Sequence, residues 1–180
     1  MKMRRIILYL IVFSSLFILT SCSLFKTSDI YDDHTRCDKL MENLTSYLEK
    51  DDFDNAKALF AKRLYEIESF DDDFNDLINY YDGAASSING MVTTGDYSNY
   101  NYQEKHHGLE YTIVTNIDTF RFRIRYIEKD TRDDNNVGIV SLYVLKLSED
   151  EYPNDRYVGA SISTDGIHVA YPHELPDNNE

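Results

Sequence analysis

The side chains best placed to do chemistry fall in one stretch, residues 106–126. Arg121, Arg123 and Arg125 recur at every second position and alternate with Phe120, Phe122, Ile124 and Tyr126. On an extended chain this spacing puts all three guanidinium groups on one face, roughly 6.5–7 Å apart. Such a row suits an anionic ligand, because a guanidinium matches carboxylate and phosphate geometry. The plainer reading is a solvated outer face paired with neighbouring Asp and Glu, which contributes only modestly across strands. His106 and His107 are adjacent, so on a strand they point to opposite faces and cannot grip one metal together. Either could meet His34 or His168 in space. Tyr111 alternates with Leu109 and Ile113 on one side of a candidate strand.

Other patterns are weaker. Asp71, Asp73 and Asn75 imitate the first positions of a calcium loop, but Asp76 stands where glycine is needed and Asp82 where glutamate is needed. The same carboxylates suit the first turn of a helix, where free N–H groups favour negative charge. Asp130, Asp133, Asp134 and Asn135 read as a solvated acidic turn. Tyr97, Tyr100 and Tyr102 form an aromatic run fit for a wet contact surface or for folding back on a sheet. No HExxH, GxSxG, phosphate-binding loop or CxxC pair is present. No catalytic residue, metal or cofactor is therefore assigned.

The N-terminus carries the most specific signal. Met1 to Arg5 is basic, and Ile6 to Leu19 is apolar apart from Ser14 and Ser15. Fourteen helical residues span only ~21 Å, short of the ~30 Å hydrocarbon core, so residues 1–21 read as an export signal rather than a spanning helix. Leu19-Thr20-Ser21-Cys22 resembles the lipobox of bacterial lipoproteins. The resemblance implies acylation of the Cys22 thiol, anchoring on the outer face of the cell membrane, and residues 22–32 as a tether. Cys37 is then the one remaining cysteine, with no disulfide partner, and reads as a small buried hydrophobe.

The formal charge is −14, from 18 basic and 32 acidic residues. Loss of Lys2, Arg4 and Arg5 with the leader deepens it by three. This argues against nucleic acid as a partner, which needs a basic footprint. Fifteen Tyr and nine Phe argue equally against disorder.

The remaining residues must position these side chains. Cys37, Leu40, Met41, Leu44, Tyr47 and Leu48 predict a helix over 33–49. Ala56, Leu59, Phe60 and Leu64 predict a second, from Asn55 to Phe60 or Leu64. Phe70, Phe74, Leu77, Ile78 and Tyr81 predict a third, capped by Ser69 with Asp72 and stopped by Gly83. The period then falls to 2. Strands are expected over 84–94 with a bend or bulge at Gly90, over 109–117, 120–126 and 137–147, and finally over 157–162 and 167–171. Residues 95–105 read as a loop, and those after Pro172 as a frayed tail. One domain over 33–172 follows, three helices on a curved antiparallel sheet.

Asp52-Phe53-Asp54-Asn55-Ala56, Leu59-Phe60, Tyr81-Asp82-Gly83, Thr115-Asn116, Phe120 and Gly138-Ile139 together resemble a family of uncharacterised lipoproteins from Gram-positive gut and related bacteria. That family is similar in turn to the nuclear-transport-factor-2-like, or cystatin-like, α+β cone, over roughly residues 34–170. The resemblance implies that fold and the anchoring, and no activity. Function is expected to be a non-catalytic binding or accessory role at the membrane, where an envelope protein is the candidate partner. The alternative is a small-molecule binder or enzyme using a pocket between sheet and helices, with Arg123, Arg125, His107 or Tyr111 in it.

Overall fold

The computed structural model describes residues 32–149 and 164–170. The leader, Cys22, the expected strand over 157–162 and the tail lie outside the described residues. The chain divides into two units, Met1–Arg36 and Cys37–Glu180. In the first, residues 32–36 are helical, and Arg36 pairs with Asp32 and Asp33.

Helix α1 covers 32–49, as the apolar period predicts. Within the second unit, Cys37, Leu40, Met41, Leu44 and Leu48 enter the core as one stripe. The second helix departs from expectation. Helix α2 covers only Phe53–Lys57, and a 3₁₀ turn follows at Lys62–Glu66. The intervening backbone pairs with the sheet instead of continuing the helix: Ala61 N–H donates to Ile139 O, and Ile139 N–H to Leu59 O, both at 2.9 Å. Gly138 permits this approach with φ +127, where a Cβ would stand 2.6 Å from Ala61 N. Helix α3 is Phe70–Tyr80, with Phe70, Phe74 and Leu77 buried. Ser69 does not cap it through a backbone N–H. Its hydroxyl donates to Asp73 at 2.8 Å instead.

Five strands form one sheet in the order of the chain: β1 Ala85–Asn99, β2 Tyr102–Thr115, β3 Thr119–Asp130, β4 Gly138–Lys146 and β5 Gly166–Val169. The expected loop over 95–105 is instead the end of a long hairpin, whose register runs unbroken from Ser87–Val114 to Asn99–Tyr102. Gly90 makes no bulge. It leaves room for Tyr111, whose ring would lie 2.5 Å from an added Cβ. β4 is buried on both faces, as its continuous apolar run predicts.

The expected nuclear-transport-factor-2-like cone is overturned. The sheet is open, not closed or curled into a cone, and among the described residues β1 pairs with β2 alone, β5 with β4 alone. It is also mixed, because β5 lies parallel to β4. The apolar alternation that suggested a wrapped antiparallel sheet is met by an open sheet with Leu109, Tyr111, Ile113, Phe120, Phe122, Ile124 and Leu142 in one core with the helices.

Candidate functional site

His107 continues the core-facing row of β2, four positions before Tyr111, at a place where the alternation calls for an apolar residue. It is 1% exposed. Its Nδ1 lies 3.0 Å from Thr94 Oγ1, on the paired position of β1, and its Nε2 lies 2.7 Å from Glu128 Oε2 on β3. Lys105 Nζ stands 3.3 Å from the same carboxylate oxygen and supplies its counter-charge. The imidazole stacks on Tyr126, with ring centres 5.9 Å apart and planes 19° off parallel. Two strand irregularities frame the cluster, between Lys105 and His106 on β2 and between Arg125 and Tyr126 on β3. Such bulges re-aim side chains next to sites.

The polarity of this chain of contacts follows from donor chemistry. An ionised Glu128 can only accept, so neutral His107 carries its proton on Nε2. Nδ1 is then the acceptor facing the Thr94 hydroxyl. Thr94 shares the core-facing side of the sheet with its partner His107 but lies beyond the apolar core and is exposed, so the relay runs from a nearly solvent-free imidazole out to an exposed residue. His107 and Glu128 are both of metal-ligating type. Lys105 on the shared oxygen supplies one counter-charge to that carboxylate.

His106 takes the opposite face, as adjacency on a strand requires, and its Nδ1 lies 3.4 Å from Glu104. Tyr111 is buried on the core face, 1% exposed, and its hydroxyl donates to Asp38 Oδ1 at 2.5 Å. Burial, then the Asp38 hydrogen bond and charge, push its ionisation well above the ordinary tyrosine value. Tyr111 therefore fastens the sheet to α1 and does not join His107.

Arg121, Arg123 and Arg125 share the other face of β3, half-buried. Arg123 Nε lies 3.6 Å from Glu110 across the strand pair, and Arg125 pairs with Asp165 ahead of β5. Asp165 also holds Arg63 of the 3₁₀ turn at 2.9 Å. Arg123 and Arg125 are thus engaged with carboxylates, and Arg63 is a partner the sequence does not announce. Cys37 is a fully buried free thiol. Asp71, Asp73 and Asn75 lie in α3, which excludes a calcium loop there. Asp130 is no solvated turn residue. It is buried, and hydrogen bonds from Arg132, helped by Asn136, hold its carboxyl well below the usual range. Tyr97 stacks on Tyr102 at 5.1 Å, and Arg132 covers Tyr102, while Tyr100 is fully exposed. A separate open groove of about 340 Å³ is lined by Ala58, Phe60, Lys62, Tyr65, Asp134 and Val137, and holds none of the expected residues.

Thr94, Lys105 and Glu128 are the site residues that sequence reading misses. The signal for Glu128 was present, two positions beyond Tyr126 on the same face. Thr94 could be found only from the hairpin register.

This is an open-sheet α+β domain with a buried polar cluster at one end of its apolar face. Residues 43–147 match the family described as Domain of unknown function (DUF5104), more than half of the chain, so the chain belongs to that family. Thr94, Lys105, His107 and Glu128 all fall inside the matched span. No curated protein matches the chain.

Proposed function

We propose that the protein is a small-ligand-binding domain whose site is the Thr94–His107–Glu128 relay with Lys105. The observation that carries this reading is a nearly solvent-free imidazole with both nitrogens engaged, at a position where leucine would pack. Buried polar and charged groups stabilise a fold less than apolar packing of the same volume, so a cluster of this kind is more readily explained by use than by stability. Thr94, Lys105 and the partly exposed Glu128 give a ligand a hydroxyl, an ammonium and a carboxylate to meet. That set suits a small polar molecule carrying both donors and acceptors.

Presentation outside the cell completes the proposal. The Leu19-Thr20-Ser21-Cys22 motif supports acylation of Cys22 and attachment to the outer face of the cell membrane. Among the described residues no helix is long and apolar enough to cross a membrane. A ligand or an envelope protein would meet the domain there.

The binding reading is tested by following the His107 ring resonances while amino acids, small carboxylates and zinc chloride are added separately to the mature chain. We expect one of the organic probes to shift His107, with the response lost in Glu128→Gln. Resonances that move only with zinc would replace the reading with a metal site, and resonances unmoved by every probe would remove it. Anchoring is tested by Cys22→Ala, which should release the protein from the membrane fraction.

A further inference from the structure

We infer that the Thr94–His107–Glu128 relay performs acyl transfer, with Thr94 Oγ1 as the nucleophile and a small ester as the substrate class. This rests on the reading of the cluster as a ligand site and adds a reaction to it. A nucleophilic hydroxyl needs a base within hydrogen-bond reach, and that base needs a third group to fix its tautomer. All three conditions meet here. The hydroxyl is 3.0 Å from Nδ1, the carboxylate is 2.7 Å from Nε2, and three adjacent strands hold the groups at paired or neighbouring positions. Rigid strands hold such a constellation more tightly than loops do. The order of burial is also the useful one, with the imidazole 1% exposed and Thr94 open to solvent. The arrangement is a geometric relative of the serine–histidine–carboxylate relay. Nδ1 serves as the base, and Nε2 faces the carboxylate.

The step balances. Thr94 Oγ1 attacks the ester carbonyl carbon, forming the C–O bond, while its proton passes to His107 Nδ1. The imidazolium is stabilised by Glu128. As the tetrahedral intermediate collapses, the bond to the departing alkoxide breaks and Nδ1 returns the proton to it as an alcohol. Water then repeats the sequence on the acyl-threonine, releasing the carboxylic acid and restoring the hydroxyl. No oxidant, reductant or metal is needed.

The test uses the mature chain and a fluorophosphonate probe, which would phosphonylate Thr94 Oγ1 and lose fluoride. Intact mass and peptide mapping should show one adduct on Thr94. It should be absent in Thr94→Ala and retained in Thr94→Ser, which keeps the hydroxyl and the fold. Labelling should slow about 100-fold or more in His107→Gln, the low end of general-base contributions. An unlabelled protein, an adduct elsewhere, or a Thr94 adduct whose rate ignores His107→Gln would overturn the inference. The His107 resonances separate this from failure of the underlying reading. Ligand-dependent shifts without labelling leave the binding site and remove the catalysis, whereas neither shifts nor labelling removes both.

Discussion

The Tyr111 hydroxyl donates to Asp38 Oδ1 at 2.5 Å, joining the centre of the apolar face of β2 to the outer flank of α1. Tyr111 is one of the largest fully buried side chains, yet its polar tip ends on a carboxylate of an exposed residue. The ring contributes apolar packing, and the hydroxyl fixes the helix against the sheet. Tyr111→Phe keeps the first and removes the second. Hydrogen bonds to charged groups contribute about 1.5–3 kcal/mol, and Asp38 can turn to water when released, so a loss near about 1.5 kcal/mol is expected. Urea unfolding with an unchanged slope would register it. A neutral outcome would show that Asp38 is as well satisfied by solvent.

The same tyrosine sets an alkaline limit on stability. Burial, the first cause in each case, raises the ionisation of Tyr111, Tyr81 and Tyr80, reinforced by Asp38, Glu49 and Glu149 respectively, with Tyr80 pushed up to about 12. A folded value above the unfolded one means that the native state holds protons the unfolded chain releases. The contribution is fully present below pH ~10 and declines as pH rises through the interval between the two values. Absorbance of tyrosinate should therefore show most of the fifteen tyrosines titrating first, and these three only with unfolding.

Asp130 sets the opposite limit. Its buried carboxylate accepts from the Arg132 side chain and backbone N–H and from Asn136, and is held below the usual range. Here the folded value lies below the unfolded one, so the contribution is present above the unfolded value near 3.9 and is lost as pH falls through that region. Asp130→Asn should flatten the acid limb of a stability profile measured between pH 6 and pH 2 while lowering stability at neutral pH.

The apolar periods that predicted α1, α3, β3 and β4 are legible because each element shows the core one regular stripe. Three failures have particular causes. Residues 95–105 read as a loop because Gly95, Asp96, Ser98 and Asn99 show no apolar alternation, yet backbone pairing, with Tyr97 stacked on Tyr102, carries the hairpin past the apolar core. The second helix is shorter than expected because Leu59 and Phe60 fit a helical stripe, while the backbone bonds of Leu59 and Ala61 to Ile139 are long-range and leave no local trace. The cone is what the family resemblance implies, and strand order does not reveal whether the two edges meet. His107 and the arginine row were visible as residue types. What joins His107 to Thr94, or Arg125 to Arg63, depends on register and on a partner far along the chain.

Gly90 offers a check on that register. An added Cβ would stand 2.5 Å from Glu110 O and from the Tyr111 ring, two neighbours with little room to yield. Overpacking of this kind costs about 1–3 kcal/mol. Gly90→Ala should destabilise the fold by that amount in thermal or urea unfolding. Gly166→Ala meets only His168 Nε2, at an unstrained 3.9 Å, but carries φ +116, so its penalty arises from backbone strain instead.

The pairing of Arg63 and Arg125 on one carboxylate makes Asp165 the more sensitive member of the three. Arg63 comes from the 3₁₀ turn, Arg125 from β3, and Asp165 precedes β5, so the cluster ties three segments distant in sequence. Each guanidinium also has a buried Nε with no hydrogen-bond partner, so neither has an alternative acceptor at that atom. Removing Arg63 leaves Asp165 still balanced by Arg125. Removing the carboxylate leaves two like charges facing each other without their shared anion, which is the costlier state. Asp165→Ala should therefore destabilise more than Arg63→Ala, and adding Arg63→Ala to Asp165→Ala should recover part of the loss. Amide exchange should localise the effect to Ile167–Val169, whose parallel pairing with β4 the cluster supports. A purely additive double mutant would show that the two arginines act independently, as exposed ion pairs usually do.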